Sequence, residues 1–261
     1  MHWFYVENGQ IGEHTITIMG NDVNHIKNVL RMQKGEKLII CDGQGTDYYC
    51  SIADFSKDEV ITEILEMNDT QTELNTKIYL FQGLPKKDKM ELIIQKAVEL
   101  GVHEVIPVSM KRCVAKIEDK KKELKKLERW QTIATSAAKQ SGRGMIPKVQ
   151  GVMSFRDALE KAKELEFTIV PYEQAEGMAE SKKLIEKACK KKSIGIFIGP
   201  EGGFDDAEIQ KAREAGFSTI SLGKRILRTE TAGLTILSIL MFQIETEDAT
   251  MSHKSTAGGT L

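Results

Sequence analysis

The pattern of hydrophobic and polar positions changes near residue 70. Before that point, five short runs rich in β-branched and aromatic residues alternate with turn residues, a pattern typical of β-strands. One helix is predicted over 22–32, where Val23, Ile26 and Leu30 recur at helical spacing. We therefore predict a small β-barrel domain over residues 1–72, ending in a polar linker. Its predicted strands cover 3–7, 14–18, 37–41, 47–55 and 59–65.

After residue 72, predicted strands and helices alternate. Repeated strand–helix units are typical of a parallel sheet flanked by helices, so a second domain is predicted over residues 73–245. Residues 246–261 are rich in Ser, Thr and Gly, and we expect a disordered tail there. The predicted strands are 78–82, 105–108, 167–170, 194–198 and 219–222, and the predicted helices are 88–100, 120–140, 155–165, 181–191, 205–215 and 229–244.

The composition is that of an ordinary globular protein, with 41% hydrophobic and 29% charged residues, which excludes the disordered class. The longest apolar stretch, 232–244, is shorter than the ~20 residues of a membrane span, and the chain opens without the pattern of a secretory signal. The four cysteines have no C-x-x-C spacing, which argues against a zinc site. We expect a cytoplasmic protein with no metal and no membrane partner.

The near-neutral net charge of −1 hides an uneven distribution. Between Lys86 and Lys148 there are 16 basic and 8 acidic residues, whereas the rest of the chain has 21 basic and 30 acidic residues. A basic segment of this kind is either a set of solvated helix faces or a surface for a polyanion such as nucleic acid.

Glycine is concentrated where the predicted strand 194–198 ends. Three glycines occur within the five residues 199–203, and Pro200 stiffens the bend. Asp205 and Glu208 then have the spacing of a capping box, so the turn leads into the first turn of a helix. Because ordinary strand–helix loops contain far less glycine, we interpret this one as a backbone cradle for a ligand.

A second unusual strand end covers residues 221–232, where Lys224, Arg225 and Arg228 surround the apolar pair Ile226 and Leu227. Such a mixture suits a site that holds an apolar ligand face and presents guanidinium groups to an anion. A third strand end, Pro171-Tyr172-Glu173, is less distinctive. In open α/β sheets, ligands bind beyond the carboxyl ends of the strands, where all three loops are predicted to lie.

The common nucleotide and hydrolase motifs are missing from this sequence. There is no G-x-x-x-x-G-K-[ST] loop, no G-x-G-x-x-G turn after a strand, and no H-E-x-x-H pair. A dinucleotide-dependent dehydrogenase and a metal-dependent or triad hydrolase are therefore disfavoured.

Together, GPEGGF at 199–204 and LGKRILRTETAGL at 222–234 resemble the cofactor loops of the SPOUT class of S-adenosylmethionine-dependent RNA methyltransferases. More narrowly, they resemble the RsmE family, which methylates N3 of a uridine in 16S ribosomal RNA. The resemblance extends upstream through residues 83–102, and VLRM at 29–32 with His25 is similar to the family's PUA-like domain.

This resemblance implies a SPOUT α/β domain with a C-terminal trefoil knot, an N-terminal PUA-like β-barrel, a homodimer, S-adenosylmethionine as cofactor and 16S rRNA of the small ribosomal subunit as partner. Arg228 would orient or stabilise the target base. Glu201 and Glu230 would either accept its proton or only stabilise their loop and helix. The implied cofactor residues are Pro171, Tyr172, Glu173, Gly199, Pro200, Glu201, Gly202, Gly203, Leu222, Gly223, Ile226 and Leu227, and the implied RNA contacts are His25, Arg31, Lys86, Lys87, Lys89, Arg112, Lys139 and Arg143.

Two alternatives remain open from the sequence. A SPOUT enzyme with a different RNA target would keep every one of these motifs. A non-catalytic RNA-binding protein would keep the basic segment but would not need both cofactor loops.

Overall fold

The computed structural model describes residues 1–114, 119–175 and 177–257, with side chains as far as residue 250. The chain forms two compact units. The first comprises residues 1–73 together with 138–146, and the second comprises residues 74–137 and the chain from 147 onward.

The first unit is built on a five-stranded sheet in the order β1-β3-β4-β5-β2. Strand β1 pairs parallel to β3, and the other neighbours are antiparallel. Alternate residues of the strands are buried in one hydrophobic core that includes Ile16, Ile18, Leu38 and Val60. The strands are β1 (His2–Tyr5), β2 (Thr15–Met19), β3 (Lys37–Cys41), β4 (Thr46–Phe55) and β5 (Glu59–Asp69).

The helix of this unit ends earlier than its periodicity predicts. Helix α1 (Asn21–Asn24) continues directly into a π-helical turn, His25–Val29, in which Ile26 is buried. Arg31 then adopts the left-handed backbone conformation, with φ of 54°, which no helix can accommodate. The apolar spacing continues to Met32, but the backbone turns before that residue.

A downstream segment completes the first unit. Met145 forms an antiparallel bridge with Gln44, in the connection between β3 and β4, and the Ile146 N–H donates to the Gly43 carbonyl at 3.0 Å. A division of the chain by hydrophobic pattern places residues 138–146 with the second domain. The pairing that brings them here is made by backbone groups of turn residues, which have no hydrophobic periodicity.

In the second unit, a seven-stranded sheet has the order β12-β10-β11-β6-β7-β8, with β9 also paired to β7. All its pairings are parallel. The two-residue strands β8 and β9 are too short to leave a pattern in the sequence. The strands are β6 (Lys77–Gly83), β7 (Glu104–Ser109), β8 (Lys148–Val149), β9 (Met153–Ser154), β10 (Phe167–Pro171), β11 (Ser193–Ile198) and β12 (Ser218–Ile220).

Helices alternate with these strands as predicted. The capping box at the start of α6 is confirmed, since the Asp205 side chain accepts from the Ala207 N–H and the Glu208 carboxylate accepts from the Asp205 N–H. The helices are α2 (Lys89–Glu99), α3 (Lys120–Ser141), α4 (Phe155–Ala162), α5 (Met178–Cys189), α6 (Asp206–Glu214) and α7 (Thr229–Ala257).

The prediction of a disordered tail from residue 246 is wrong as far as Ala257, because α7 continues through this region. The threonines that suggested disorder, Thr246 and Thr250, donate from their hydroxyls to the carbonyls four residues earlier, and Asp248 accepts from the Asn75 side chain. Residues 258–261 lie outside the described part of the chain. Among the residues described, no helix has both the length and the apolar character of a membrane span.

Candidate active site

A cavity of about 490 Å³ lies beyond the carboxyl ends of β10, β11 and β12. This volume is within the ~300–1,000 Å³ typical of small-molecule sites. The loops that follow these strands contain the three segments singled out in the sequence, 171–173, 199–203 and 221–232. All twelve residues predicted to bind a cofactor line the cavity, and so does Arg228. Lys89, Ile198, Phe204, Ser221, Lys224, Arg225, Thr229 and Ala232 complete its lining.

The glycine-rich loop after β11 is a tight turn, and Arg112 packs against it. Gly203 has a φ of 68°, and its N–H donates to the Pro200 carbonyl at 2.9 Å. A Cβ on Gly202 would lie 3.0 Å from the Cβ of Arg112, whose guanidinium donates to the Gly202 carbonyl at 3.2 Å. A side chain at position 202 would therefore crowd Arg112, which we predicted as an RNA contact from the sequence.

Hydrogen bonds fix the start of the loop after β12. The Ser221 N–H donates to the Ser181 hydroxyl of α5 at 2.8 Å, and the Gly223 N–H donates to the Ser221 hydroxyl at 3.2 Å. Gly223 has a φ of 115°, which few other residues adopt. The loop leaves Ile226 86% exposed beside the cavity, so an apolar side chain is available to a ligand.

Two successive hydrogen bonds link the ends of β6 and β11 to the start of α7 beside the cavity. The Gln82 amide group donates to the Thr229 hydroxyl at 2.9 Å, and that hydroxyl donates to the Gly199 carbonyl at 2.6 Å. The Gln82 Oε1 atom is buried and has no hydrogen-bond partner among the described residues. An unpaired buried carbonyl costs about 1–3 kcal/mol, so this amide is held in place at the expense of one of its own hydrogen bonds.

Lys89 joins the two carboxylates that were predicted as proton acceptors. Its Nζ atom lies 3.3 Å from Glu201 and 3.1 Å from Glu230, and its side chain is only 29% exposed. Hydrogen bonding to Glu230 is the main cause of the raised pKa of Lys89. Burial alone would raise the pKa of Glu201, but backbone N–H donors, including that of Lys86, and the Lys89 ammonium lower it below its usual value. Lys89 is therefore held as a cation next to an ionised Glu201.

The structure changes the interpretation of two predicted RNA contacts. Lys89 lines the cavity, as described above. Arg143 is only 4% exposed and forms an ion pair with Glu73, so the prediction that it contacts phosphate is wrong for this structure. A buried arginine without its ion-pair partner would be strongly destabilising, so the pair with Glu73 has a structural role.

The other predicted RNA contacts are exposed. His25 and Arg31 lie on the surface of the first unit, where Lys139 also pairs at 3.8 Å with Asp22. In the second unit, Lys86 and Lys87 precede α2, and Lys87 has a left-handed φ of 56°.

Sequence reasoning missed Gln82, Lys89 and Thr229 as parts of this site. Thr229 lies in the recognised motif between Arg228 and Glu230, so only its role was missed. Gln82 and Lys89 come from the end of β6 and the start of α2, far from the cavity loops in sequence, and no spacing rule connects them. No cluster of three or more metal-ligating side chains occurs among the residues that the structure describes.

Comparison with known proteins agrees with this architecture. A family profile described as an RNA methyltransferase domain matches residues 72–241, and one described as an RNA methyltransferase PUA domain matches residues 18–65. The chain is 41% identical to ribosomal RNA small subunit methyltransferase E of Bacillus subtilis, over 88% of this chain and 91% of that protein. It is 37% identical to the protein of the same name from Mesomycoplasma hyopneumoniae, over 91% of this chain and 98% of that protein.

The chain is also similar to solved structures, including one with a bound molecule. The ribosomal RNA small subunit methyltransferase E of Neisseria gonorrhoeae, bound to S-adenosyl methionine, superposes with a TM-score of 0.77 and is 34% identical. The match covers 93% of this chain and 98% of that chain.

The parallel sheet, the strand-end cavity and the PUA-like unit define an RNA methyltransferase of the SPOUT class, which confirms the expected fold class. Within that class, the chain belongs to the ribosomal RNA small subunit methyltransferase E family, as its motifs suggested. The trefoil knot stays a prediction.

Proposed function

We propose that this protein transfers the methyl group of S-adenosylmethionine to N3 of a uridine in 16S ribosomal RNA of the small subunit. The observation that carries this proposal is that all twelve predicted cofactor residues line one cavity of cofactor size in a chain of this family. The choice of uridine N3 is inherited from the family resemblance.

The cavity residues fit this cofactor. The glycine-rich loop, 199–203, offers backbone groups to the methionine part, and Leu222, Ile226 and Leu227 offer an apolar surface to the adenine. S-adenosylmethionine supplies an already activated methyl group, so the protein contributes mainly proximity and orientation. The hydrogen bonds from Gln82 to Thr229 and from Thr229 to Gly199 connect the start of α7, which follows the loop after β12, to the glycine-rich loop after β11.

The family resemblance assigns the target base to Arg228, which shares the cavity lining with Lys224 and Arg225. Arg228 is exposed, lines the cavity, and has no ion-pair partner within 4.0 Å among the described residues. Uridine N3 must lose a proton before or during methyl transfer, and a guanidinium stabilises the anion that results. Glu201 and Glu230 are both bound to Lys89, and Glu201 is a weakened base, so we assign both to positioning the loop and the helix.

A homodimer is part of this proposal. On α7, Ile239 is 37% exposed and Phe242 is 70% exposed, and Leu92 on the adjoining α2 is 44% exposed. Large apolar side chains exposed together are typical of an interface between subunits. A second copy of the chain is the partner that the family resemblance implies, through the region of the trefoil knot. Sedimentation should show a dimer, and Phe242→Lys should shift it toward the monomer.

The central experiment incubates the protein with labelled S-adenosylmethionine and small ribosomal subunits from a strain lacking this gene, followed by mapping of the modified nucleotide. We expect label at N3 of one uridine in 16S rRNA. Label at another nucleotide would indicate a SPOUT enzyme with a different RNA target. Absence of label, together with absence of cofactor binding by calorimetry, would indicate a non-catalytic RNA-binding protein. Subunits already methylated in the parent strain are the control and should accept no label.

A further inference from the structure

Five lysines on the first half of α3 have no carboxylate partner within the described residues, and all but the first, Lys120, lie towards one side of the helix. Lys121, Lys122, Lys125 and Lys126 are all exposed, and none lies within 4.0 Å of an acidic side chain of residues 1–114, 119–175 or 177–250. Their spacing of three and four residues places them on one face of the helix. Together they form a lysine face about two turns long.

Lysines on the other helices of the second unit behave differently. Helices α2 and α5 carry lysines paired with a glutamate three or four residues away, and Lys163, just after α4, is paired in the same way. These pairs are Lys96–Glu99, Lys163–Glu160, Lys182–Glu186 and Lys183–Glu180. Local ion pairs therefore engage several lysines of α2 and α5, whereas the lysine face of α3 has none among the described residues.

Three described acidic residues close in sequence form no ion pair with the lysine face. The Asp119 carboxylate accepts a hydrogen bond from the Lys121 backbone N–H at 2.9 Å, at the start of the helix. Glu123 accepts a hydrogen bond at 3.2 Å from the Val152 N–H, so its carboxylate is engaged elsewhere. Glu128 is exposed, and no ion pair with a lysine of α3 is present in the described region. The next cation along the helix, Arg129, is paired through two nitrogens with Glu91 and is not part of the lysine face.

This arrangement works against the stability of the helix. Like charges four residues apart, as in Lys121 with Lys125 and Lys122 with Lys126, destabilise a helix by about 0.2–0.5 kcal/mol a pair. Lysines near the start of a helix also oppose its dipole. The buried residues Trp130 and Ala134 hold α3 in place further along. An unpaired cationic face that lowers helix stability is best explained by a polyanion that it binds.

We propose that the lysine face of α3 binds the phosphate backbone of ribosomal RNA at a distance from the methylated nucleotide. The inference rests on the proposed function, since it takes the RNA substrate as given. Lysine is a point charge that contacts phosphates without reading bases, so the face would contribute affinity and leave the choice of nucleotide to the cavity. The length and surface placement of the face suit a run of consecutive phosphates better than one bound anion.

The test replaces all four lysines by glutamine and measures methylation of small ribosomal subunits, and binding of both the subunits and naked 16S rRNA, at several salt concentrations. We expect the KM for RNA to rise at least about tenfold, with kcat and the cofactor Kd within about twofold. The slope of log affinity against log salt should fall by about 3, since each phosphate contact contributes ~0.7–0.9. Because repulsion is relieved, the melting temperature should not fall.

The matched control removes four exposed lysines elsewhere in the same unit, at positions 182, 183, 190 and 192, and changes the net charge equally. It should leave the KM and the salt slope close to those of the wild type. Equal effects in both variants, or none in the α3 variant, would overturn the inference. So would a loss confined to intact subunits, which would indicate a ribosomal protein as the partner. A wild type that methylates no rRNA would instead contradict the proposed function itself.

Discussion

Lys89 and the lysine face of α3 belong to the same basic segment of the sequence but have opposite environments. Lys89 lies between two carboxylates beside the cavity, whereas Lys121, Lys122, Lys125 and Lys126 have none within reach in the described region. The first arrangement positions loops, and the second is available to a polyanion. An excess of basic residues in the sequence therefore shows only where a polyanion could bind. Which of these cations can bind it depends on whether a carboxylate of the protein already forms an ion pair with them.

The largest effect is expected where a buried paired cation is removed. Arg143→Met leaves the half-buried Glu73 of the first unit without its ion-pair partner and with only the Met145 N–H as a donor among the described residues, so the free energy of unfolding should fall by up to about 3–5 kcal/mol in urea denaturation. The double variant Arg143→Met/Glu73→Leu should recover most of this loss. A single variant that is as stable as the wild type but binds RNA more weakly would contradict the structural role and restore the sequence-based prediction.

Next in size is the effect of removing Arg228, one of three exposed cations of the cavity that have no ion-pair partner among the described residues. Arg228→Ala should lower kcat about 100- to 1,000-fold, because it removes a donor from the anion formed during the reaction. The cofactor Kd, measured by calorimetry, should stay within about twofold. Arg225→Ala is the matched control, since Arg225 is also exposed and lines the same cavity. Equal losses of kcat and cofactor binding in Arg228→Ala would remove its proposed catalytic role.

Lys89→Gln tests the paired cation of the cavity. Glu201 and Glu230 would lose their shared partner, so cofactor affinity should fall by about tenfold while the salt dependence of RNA binding stays unchanged. Lys89→Arg, which keeps the charge, should retain most of the affinity. If Lys89→Gln instead lowered the salt slope and left the cofactor Kd unchanged, Lys89 would belong with the lysines of α3.

The smallest effect is expected for a cation of intermediate environment. Lys139 is exposed and lies 3.8 Å from Asp22, a surface pair of the kind that contributes about 0–1 kcal/mol. Lys139→Gln should therefore leave the melting temperature within about 2 °C and change RNA affinity less than about threefold. A change as large as that of the four-lysine variant would show that weak surface pairing does not separate the two classes of cation.

The sequence could predict the elements and the cavity because both are written in local patterns. The strand β3 begins and ends at the predicted residues, and every helix of the second unit overlaps its prediction. The glycine-rich turn at 199–203 and the mixed loop at 221–232 follow strands of a parallel sheet, whose carboxyl ends meet at one edge. That geometry is enough to bring twelve predicted residues around one cavity.

Long-range pairing could not be predicted in the same way. Residues 138–146 complete the first unit through backbone hydrogen bonds that leave no periodicity, and α7 continues past residue 246 through contacts that include Asp248 with Asn75. Gln82 reaches Thr229 only because the ends of β6 and β11 are adjacent in the sheet and α7 begins beside them.

The amino-acid sequence alone specified a β-rich first domain, a parallel α/β second domain, the family and the cofactor loops. It could do so because hydrophobic periodicity, glycine content and ordered motifs are local properties. The tertiary structure alone decided the state of each charged group. Lys89, Arg143 and Lys125 are all cations of the same basic segment of the sequence. In the structure, Lys89 lies between two carboxylates, Arg143 is buried against Glu73, and Lys125 is exposed without a partner in the described chain. The physical reason is that the energy of a charge depends on its distance from other charges and from water, and folding determines both.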